Sequence, residues 1–319
     1  MEADMSFSSD TKNELAHFHT EKDCCKLAEI AGFIRMCGSI SLAGFGKFTI
    51  YMPTDSPAIA RHYKMLVKEY FNVDAPIEIG ESGGLKNGKE YILIIGPEEN
   101  SEAILREIGI LMIKGGMNYF SDGIYDGLIR TKCCRRAYLR GAFMAAGTVS
   151  NPEKGYHFEI MCSSHILAQD IRRLIRTFTD LTPKTVVRKK GESVYIKSGT
   201  QILDILSIME AHGKRMDYDK VMMIKEIRNQ AVRAINCDSA NVDKIVRTAS
   251  KEIDAIRKIE RTRGLDYLPQ KLRDAALLRL DNPEASFTEI GEMMEPPVGR
   301  SGLSKRFKKI EEIAEGIEE

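Results

Sequence analysis

An internal repeat constrains the fold of this chain more than any other feature of its sequence. Residues 24–41, CCKLAEIAGFIRMCGSIS, recur 109 residues later as residues 133–150, CCRRAYLRGAFMAAGTVS. Without a gap, the two copies share a pair of cysteines, one alanine, two glycines and the final serine. Such agreement rarely arises by chance, so the sequence predicts a duplicated unit of roughly 100 residues.

The segments that follow each copy repeat one order of patterns. Two short apolar runs come first, then a helical stretch, two β-prone runs around a turn, and a second helical stretch. After the first copy, the two helical stretches lie at residues 56–71 and at about 98–112. Glycine-containing turns between β-prone runs indicate hairpins. Each unit is therefore predicted as αββαββα, and two units form an α+β domain with pseudo-two-fold symmetry.

Small residues at four-residue spacing mark one face of each repeated helix. Ala28 and Gly32 lie on this face in the first copy, and Ala137 and Gly141 lie on it in the second. Small side chains let two helix backbones approach closely. The duplication favours pairing of the two helices with each other; close packing of each helix on its own sheet is the alternative.

The adjacent cysteine pairs, Cys24-Cys25 and Cys133-Cys134, begin the two copies. If the helices pair, four thiols converge, and a zinc site is one interpretation. Adjacent cysteines lack the two-to-four-residue spacing typical of zinc sites. The favoured interpretation is small buried residues at helix starts, with no metal and no cofactor.

Composition and charge narrow the class of protein. The 319 residues are 43% hydrophobic and 29% charged, as in ordinary folded domains. No apolar run is long enough for a membrane helix, no export signal is evident, and seven cysteines is an odd number for a disulfide framework. These features predict a cytoplasmic protein with no membrane segment.

The net charge of +1 conceals an uneven distribution. Residues 1–130 carry −6 and residues 131–240 carry +8. Residues 300–309 hold five cations and no acid, whereas residues 311–319 hold five glutamates. Concentrated basic zones are compatible with nucleic-acid binding, although a single basic run is more often a solvated face.

The C-terminal residues 267–319 have the pattern of a helix-turn-helix domain. Ser286 and Glu289 are spaced as a capping box. In the following helix, one predicted buried stripe has apolar residues at helical spacing: Leu303, Phe307, Ile310 and Ala314. A helical linker is predicted over residues 237–266, after an interruption near residues 237–241.

The opposite face of this last helix carries hydroxyl groups and cations. In a helix-turn-helix, the second helix enters the major groove by its N-terminal residues. Such side chains suit contacts with base edges and phosphates. The predicted DNA contacts are Arg300, Ser301, Ser304, Lys305, Arg306, Lys308 and Lys309. A three-helix bundle that only packs or binds a partner is the alternative.

The glycine motif at residues 32–38 and 141–147 resembles the paired motif of LAGLIDADG homing endonucleases. The resemblance implies an N-terminal segment over residues 1–20 and a duplicated domain over residues 21–236, with halves at about 21–118 and 119–236. It also implies that the motif helices form the interface between halves and that the strands form a saddle for duplex DNA. Candidate secondary DNA contacts on this saddle are Arg188, Lys189, Lys190 and Lys197. The alternative is that the saddle binds a protein partner.

In that endonuclease family, the acid before the last glycine of each motif binds a catalytic divalent metal. The matching positions here are Cys37 and Ala146. Neither supplies the oxygen ligands that Mg²⁺ requires, so we expect no nuclease activity. A divergent nuclease with relocated ligands is the least favoured alternative.

The order of the modules, ending in SFTEIGEMMEPPVGRSGLSKRFKKIEEIAEGI at residues 286–317, closely resembles the WhiA family of bacterial proteins. The resemblance spans essentially the whole chain. It implies a non-enzymatic, nucleoid-associated transcription regulator that binds double-stranded promoter DNA and acts in sporulation, or in cell division and chromosome segregation. The alternative is an adaptor whose saddle binds a sigma factor or an RNA polymerase subunit.

Overall fold

The chain folds into two compact units, Met1–Lys225 and Glu226–Glu319. The structure, a computed structural model, describes residues 6–44, 46–81, 89–189 and 191–317. It confirms the mixed α+β architecture predicted for the first unit and the helical architecture predicted for the second. Within the described ranges, no helix combines the length and the apolar character that crossing a membrane requires.

The first half of the duplicated unit follows the predicted order of helices and strands. The N-terminal helix α1 (Phe7–Ala16) comes first. The elements of the half that follow it are, in chain order, α2 (Asp23–Cys37), β1 (Ser39–Leu42), β2 (Phe48–Thr54), α3 (Pro57–Phe71), β3 (Ile77–Glu81), β4 (Lys89–Ile95) and α4 (Ser101–Glu107). The strands form an antiparallel sheet in the order β1-β2-β4-β3. Ile50 pairs with Ile95 in this sheet, and both side chains are fully buried in the core beneath it.

The second half repeats this arrangement after a short hairpin. The elements are β5 (Leu111–Lys114), β6 (Met117–Phe120), α5 (Lys132–Ala146), β7 (Gly147–Val149), β8 (Phe158–Cys162), α6 (His165–Arg176), β9 (Lys184–Arg188), β10 (Gly191–Ile196) and α7 (Gly199–Ile208). The sheet order β7-β8-β10-β9 matches that of the first half. Ile160 and Val194 are paired and buried, as Ile50 and Ile95 are in the first sheet.

The helix predicted over residues 98–112 is wrong in extent. Pro97–Glu99 forms a 3₁₀ turn, α4 is short, and the chain then forms the β5–β6 hairpin, which was not predicted. Gly109 redirects the chain after α4 with a φ of +69°, and a Cβ there would lie 2.3 Å from the Cβ of Tyr125. Packing against Tyr125 therefore ends helix α4 early, although the sequence pattern that follows looks helical.

The N-terminal segment, for which no element was predicted, forms helix α1 and belongs to the first unit. Glu14 on α1 accepts hydrogen bonds from the backbone N–H groups of Gly213 and Lys214, at 2.7 and 2.8 Å. These N–H groups lie in the first turn of α8 (His212–Arg263) and have no acceptor within that helix. The Glu14 carboxylate therefore stabilises the start of α8.

Helix α8 is continuous, so the interruption predicted near residues 237–241 is wrong. Helix-start residue types inside a helix cost only a fraction of a kcal/mol each, and these residues are exposed. Near its end, α8 contributes Ile256 and Ile259 to the core of the second unit. The last turns of the predicted linker, residues 237–266, are thus part of that core.

Three further helices complete the second unit: α9 (Gln270–Asp281), α10 (Phe287–Met293) and α11 (Arg300–Glu315). They surround one small apolar core. The side chains of the stripe predicted on α11, which are Leu303, Phe307, Ile310 and Ala314, are all buried in it. The predicted inward face of α11 is therefore confirmed.

Helices α2 and α5 approach each other closely because glycine lies at the contact in each helix. A Cβ on Gly32 would lie 2.4 Å from the carbonyl oxygen of Tyr138, and one on Gly141 would lie 2.2 Å from that of Glu29. Ala28 and Ala137, one turn earlier on the same faces, are buried. The structure thus places the small residues of both copies between the two halves.

A buried ion pair crosses the same interface. The Oε2 atom of Glu29 on α2 lies 2.6 Å from the Nη2 atom of Arg140 on α5. Both side chains are almost completely buried. His62 on α3 donates to the other carboxylate oxygen at 2.8 Å. Burial alone would raise the pKa of Glu29, but the charge of Arg140 and the hydrogen bonds from His62 and Arg140 lower it below its usual value.

Replacing Gly141 by alanine should destabilise the first unit. The new methyl group would overlap the carbonyl oxygen of Glu29, so α2 and α5 would have to separate. We expect the free energy of unfolding to fall by about 1–3 kcal/mol or more, measured by urea denaturation followed by circular dichroism. As a control, Gly80→Ala places its Cβ where no atom lies within 4 Å. Equal losses in the two variants would contradict the proposed role of the close contact.

Candidate nucleic-acid interface

The structure confirms the capping box that begins α10. The N–H of Ser286 donates to the Glu289 carboxylate at 2.7 Å, and the N–H of Glu289 donates to the Ser286 hydroxyl at 3.4 Å. These bonds satisfy backbone groups that the helix itself leaves unpaired. The side chains of Ser286 and Glu289 therefore fix the position at which α10 begins.

The turn between α10 and α11 folds back onto α10. The N–H of Val298 donates to the carbonyl oxygen of Gly291 at 2.8 Å. A Cβ on Gly291 would lie only 2.1 Å from the carbonyl oxygen of Val298, so a residue with a side chain would force the turn away. Sequence analysis missed this role of Gly291, because the contact is not local.

The solvent face of α11 carries most of the predicted DNA contacts. The exposed members of the set are Arg300, Ser301, Ser304, Lys305, Lys308 and Lys309. They surround the N-terminal half of α11, opposite the buried stripe. In the described part of the chain, no side chain caps the start of α11, whose first N–H groups are therefore available to an anion.

Arg306 differs from the rest of the predicted set. Its guanidinium donates to the carbonyl oxygen of Lys271 at 3.3 Å and lies 3.2 Å from the sulfur of Met294. The side chain is only partly exposed. Arg306 thus joins α11 to α9 and to the end of α10, whereas we expected it to face phosphates.

A cleft beside α11 combines the predicted contact Arg300 with groups that the sequence analysis did not select. It is lined in part by Lys244 and Thr248 of α8, Thr288 of α10 and Arg300 of α11. Two cations and two hydroxyl groups in one cleft are side-chain types that contact phosphates. Lys244 and Arg300 are far apart in the sequence, so no local pattern could associate them.

A buried ion pair between α8 and α9 packs against Phe307 on the inner face of α11. Arg279 of α9 lies 2.9 Å from the Glu252 carboxylate of α8, and both side chains are almost completely buried. The Arg279 guanidinium also lies over the rings of Phe287 and Phe307, at 5.7 and 5.3 Å from their centroids. The two atoms of the ion pair are not aligned for a hydrogen bond, so the pairing only partly offsets the burial of Glu252.

The predicted secondary contacts of the second sheet have different environments. Arg188 lies 3.6 Å from the Glu159 carboxylate, so its charge is partly neutralised on the outer face of the sheet. Lys189 and Lys197 are exposed. Lys190 lies outside the described residues. Among the described candidates, the charge of Arg188 is thus partly neutralised, whereas Lys189 and Lys197 are accessible to solvent.

The matching face of the first sheet carries acids and apolar groups. Side chains alternate across a strand, so Glu90, Ile92 and Ile94 of β4 lie opposite the buried Leu93 and Ile95. Glu78 of β3 is paired with Ile92 and lies on the same outer face. Carboxylates here would repel phosphates, and the two sheet faces thus differ in electrostatic character.

The two positions at which the endonuclease resemblance implies metal-binding acids do not fit a magnesium ion. The Cys37 thiol donates to the carbonyl oxygen of Phe33 at 3.4 Å. Burial raises the pKa of this thiol to about 12, although the nearby Lys12 ammonium opposes the shift. Ala146 supplies only a methyl group. These side chains offer none of the hard oxygen ligands that Mg²⁺ prefers.

Comparison with known proteins gives matches to both units of the chain. Three family models match: the WhiA N-terminal LAGLIDADG-like domain at residues 23–111, the WhiA LAGLIDADG-like domain at 135–228, and the WhiA C-terminal HTH domain at 231–314. The "Probable cell division protein WhiA" of Alkaliphilus oremlandii is 42% identical over 316 residues, which cover 99% of this chain and 98% of that protein. The chain belongs to the WhiA family.

Other WhiA proteins agree in length and fold. The "Probable cell division protein WhiA" of Alkaliphilus metalliredigens is 40% identical over 311 residues, covering 98% of each chain. The crystal structure of full-length DUF199/WhiA from Thermatoga maritima matches with a TM-score of 0.58 and 24% identity, covering 99% of this chain and 100% of that one. This structural similarity shows a shared fold.

The second unit of this WhiA-family chain should lose stability as the pH rises. Burial raises the pKa of Glu252 to about 7 in the folded state, although Arg279 opposes the shift; its ordinary value is 4.5. The folded state therefore holds this proton more tightly than the unfolded state. Its contribution to stability is complete below about pH 4.5 and is lost by about pH 7.

Amide hydrogen exchange in α9 and α11 of the full chain, corrected for intrinsic rates, would measure this loss between pH 5 and pH 8. In the Glu252→Gln variant, the same amides should show little pH dependence over this range. A decline that persists unchanged in Glu252→Gln would contradict the assignment to Glu252.

Proposed function

We propose that this chain is a transcription regulator that binds double-stranded promoter DNA through α11. The observation that carries this proposal is the polarity of α11. Its apolar stripe is buried, whereas its N-terminal half presents hydroxyl groups and cations to solvent. A helix of this kind, placed after a turn fixed by Gly291, suits entry into a major groove.

The side chains of α11 divide into two proposed roles. Ser301, Ser304 and Lys305 lie near the start of the helix and are the proposed contacts with base edges. Lys308 and Lys309 lie one turn further on and suit contacts with phosphates. The cleft with Lys244 and Arg300 provides a further position for a backbone phosphate. Arg306 acts indirectly, by holding α11 against α9.

The proposed regulator acts without catalysis. Cys37 and Ala146 provide no ligand for a catalytic divalent metal where the endonuclease resemblance requires one. Binding should therefore be independent of Mg²⁺ and leave the duplex intact. The printed names of the relatives support a role in cell division. We extend this to control of genes for cell division, chromosome segregation or sporulation, exerted at the nucleoid in the cytoplasm.

The outer face of the first sheet favours a protein partner over DNA. Glu78 and Glu90 lie there beside Ile92 and Ile94, a mixture of acids and apolar groups. Such a surface would repel a phosphate backbone but could contact a basic protein surface, such as part of a sigma factor or RNA polymerase. This adaptor role is the second candidate function, and it does not conflict with DNA binding by α11.

Reversing two charges on α11 should strongly weaken DNA binding. In the Lys305→Glu/Lys308→Glu variant, we expect affinity for a duplex containing the promoter region of its own gene to fall roughly 100-fold or more, because each lost contact costs about 1–3 kcal/mol. Fluorescence anisotropy with the full chain, with and without Mg²⁺, would measure the affinity. The slope of log affinity against log salt should also decrease.

The matched control is Lys68→Glu/Lys114→Glu, which makes the same charge change at exposed positions of the first unit. It should leave the affinity within a few-fold of the original. Lys189→Glu/Lys197→Glu should have an intermediate effect if the second sheet adds phosphate contacts. Undiminished binding by the α11 variant would refute the recognition-helix assignment, and Mg²⁺-dependent cleavage would refute the non-enzymatic one.

A further inference from the structure

Four thiols from the two halves meet where helices α2 and α5 begin. Cys24 and Cys25 lie in the first turn of α2, and Cys133 and Cys134 lie in the first turn of α5. Their four sulfur atoms all lie within 4.8 Å of one another. The sequence analysis favoured no metal here because adjacent cysteines have an unusual spacing. In the folded structure, however, the sulfur atoms of the two pairs lie close enough together for one metal ion to contact all four.

We propose that these four cysteines bind one zinc ion that joins the two halves of the first unit. Zinc in structural sites is four-coordinate and tetrahedral, with Zn–S distances of about 2.3 Å, which places the sulfurs about 3.8 Å apart. The Cys24 and Cys25 sulfurs are already 4.0 Å apart. Small side-chain rotations would therefore bring all four thiolates to a common ion.

The chemistry of the donor set selects the class of metal. Four thiolates are soft ligands that suit zinc and disfavour Mg²⁺ and Ca²⁺, which prefer oxygen. An iron–sulfur cluster places several metal atoms between its cysteines and needs wider spacing than a single ion. The close grouping of the sulfurs therefore favours a mononuclear tetrahedral site.

The surroundings of the sulfurs suit a negatively charged metal–thiolate group. Both cysteine pairs lie at helix N-termini, whose backbone N–H groups and positive dipole ends stabilise thiolates. The Thr131 hydroxyl, which caps α5, lies 3.2 Å from the Cys133 sulfur and can donate to a thiolate.

The solvent exposure of the four cysteines would allow a zinc ion to reach them from solution. Cys25 and Cys134 are buried, whereas Cys133 is partly exposed and Cys24 is exposed. A metal can therefore enter from the Cys24 side, and the buried pair would complete its coordination. The zinc would fix the starts of α2 and α5 together, about two turns before the close contact at Gly32 and Gly141.

The first test is metal analysis of the full chain purified without chelators. We expect one zinc per chain, released by a thiol-binding mercurial and detected with a chromogenic chelator. Adding Co²⁺ to metal-free protein should give sulfur-to-cobalt charge-transfer bands and the intense d–d bands of a tetrahedral tetrathiolate site. Absence of bound zinc together with absence of these bands would refute the proposal, as would stoichiometric iron.

The second test uses variants. Cys24→Ser/Cys133→Ser should lose the zinc and the cobalt bands, whereas Cys237→Ser, an exposed thiol outside the cluster, should retain both. A strong chelator should lower the melting temperature of the original chain by roughly 5 °C or more, but not that of the double variant. If the double variant fails to fold, the cobalt spectrum of the original chain still decides. Disulfide bonds among the four cysteines in freshly purified, zinc-free protein would overturn the assignment.

Discussion

The close contact between α2 and α5 is the constraint on which the first unit depends. Each half contributes one glycine to a backbone contact that tolerates no side chain, and the Glu29–Arg140 ion pair crosses the same interface. A shifted helix register would leave both charges buried and unpaired. Such a state is unfavourable because desolvating a charge is costly unless it pairs with good geometry. The contact thus selects one arrangement of the helices, and each four-stranded sheet takes its position from the helix it covers.

The repeat, the element order and the buried stripe of α11 could be predicted from the sequence because they are local and periodic. Features that depend on residues distant in the sequence could not. Glu29 and Arg140 look like surface residues in their helices, and only the folded structure shows that each buries the other's charge. The requirement for glycine at position 291 likewise depends on a distant residue, because a Cβ there would collide with the Val298 carbonyl oxygen. The short α4 followed by a hairpin reflects packing at Gly109 that outweighs a helical pattern.

The first unit has a duplicated LAGLIDADG-like scaffold but no acid at the two positions where the endonuclease resemblance implies one. The duplicated scaffold keeps the helix pairing, but the positions before the last motif glycines hold a protonated thiol and a methyl group. The outer faces of the two sheets also differ in charge, since Glu78 and Glu90 lie on the first and the Arg188–Glu159 ion pair lies on the second. The cations and hydroxyl groups suited to DNA are concentrated instead on α11 and its cleft.

The cysteine cluster follows from the same duplication. Spacing rules for zinc sites describe ligands that one segment brings together by a turn, and an adjacent pair cannot satisfy them. Here the pseudo-two-fold relation that matches Cys24 with Cys133, and Cys25 with Cys134, supplies the second pair from the other half. A tetrahedron contains two-fold axes, so two symmetry-related pairs are sufficient to form its four corners. A motif that is a weak zinc signal in one copy becomes a complete ligand set once the helices that carry it are paired.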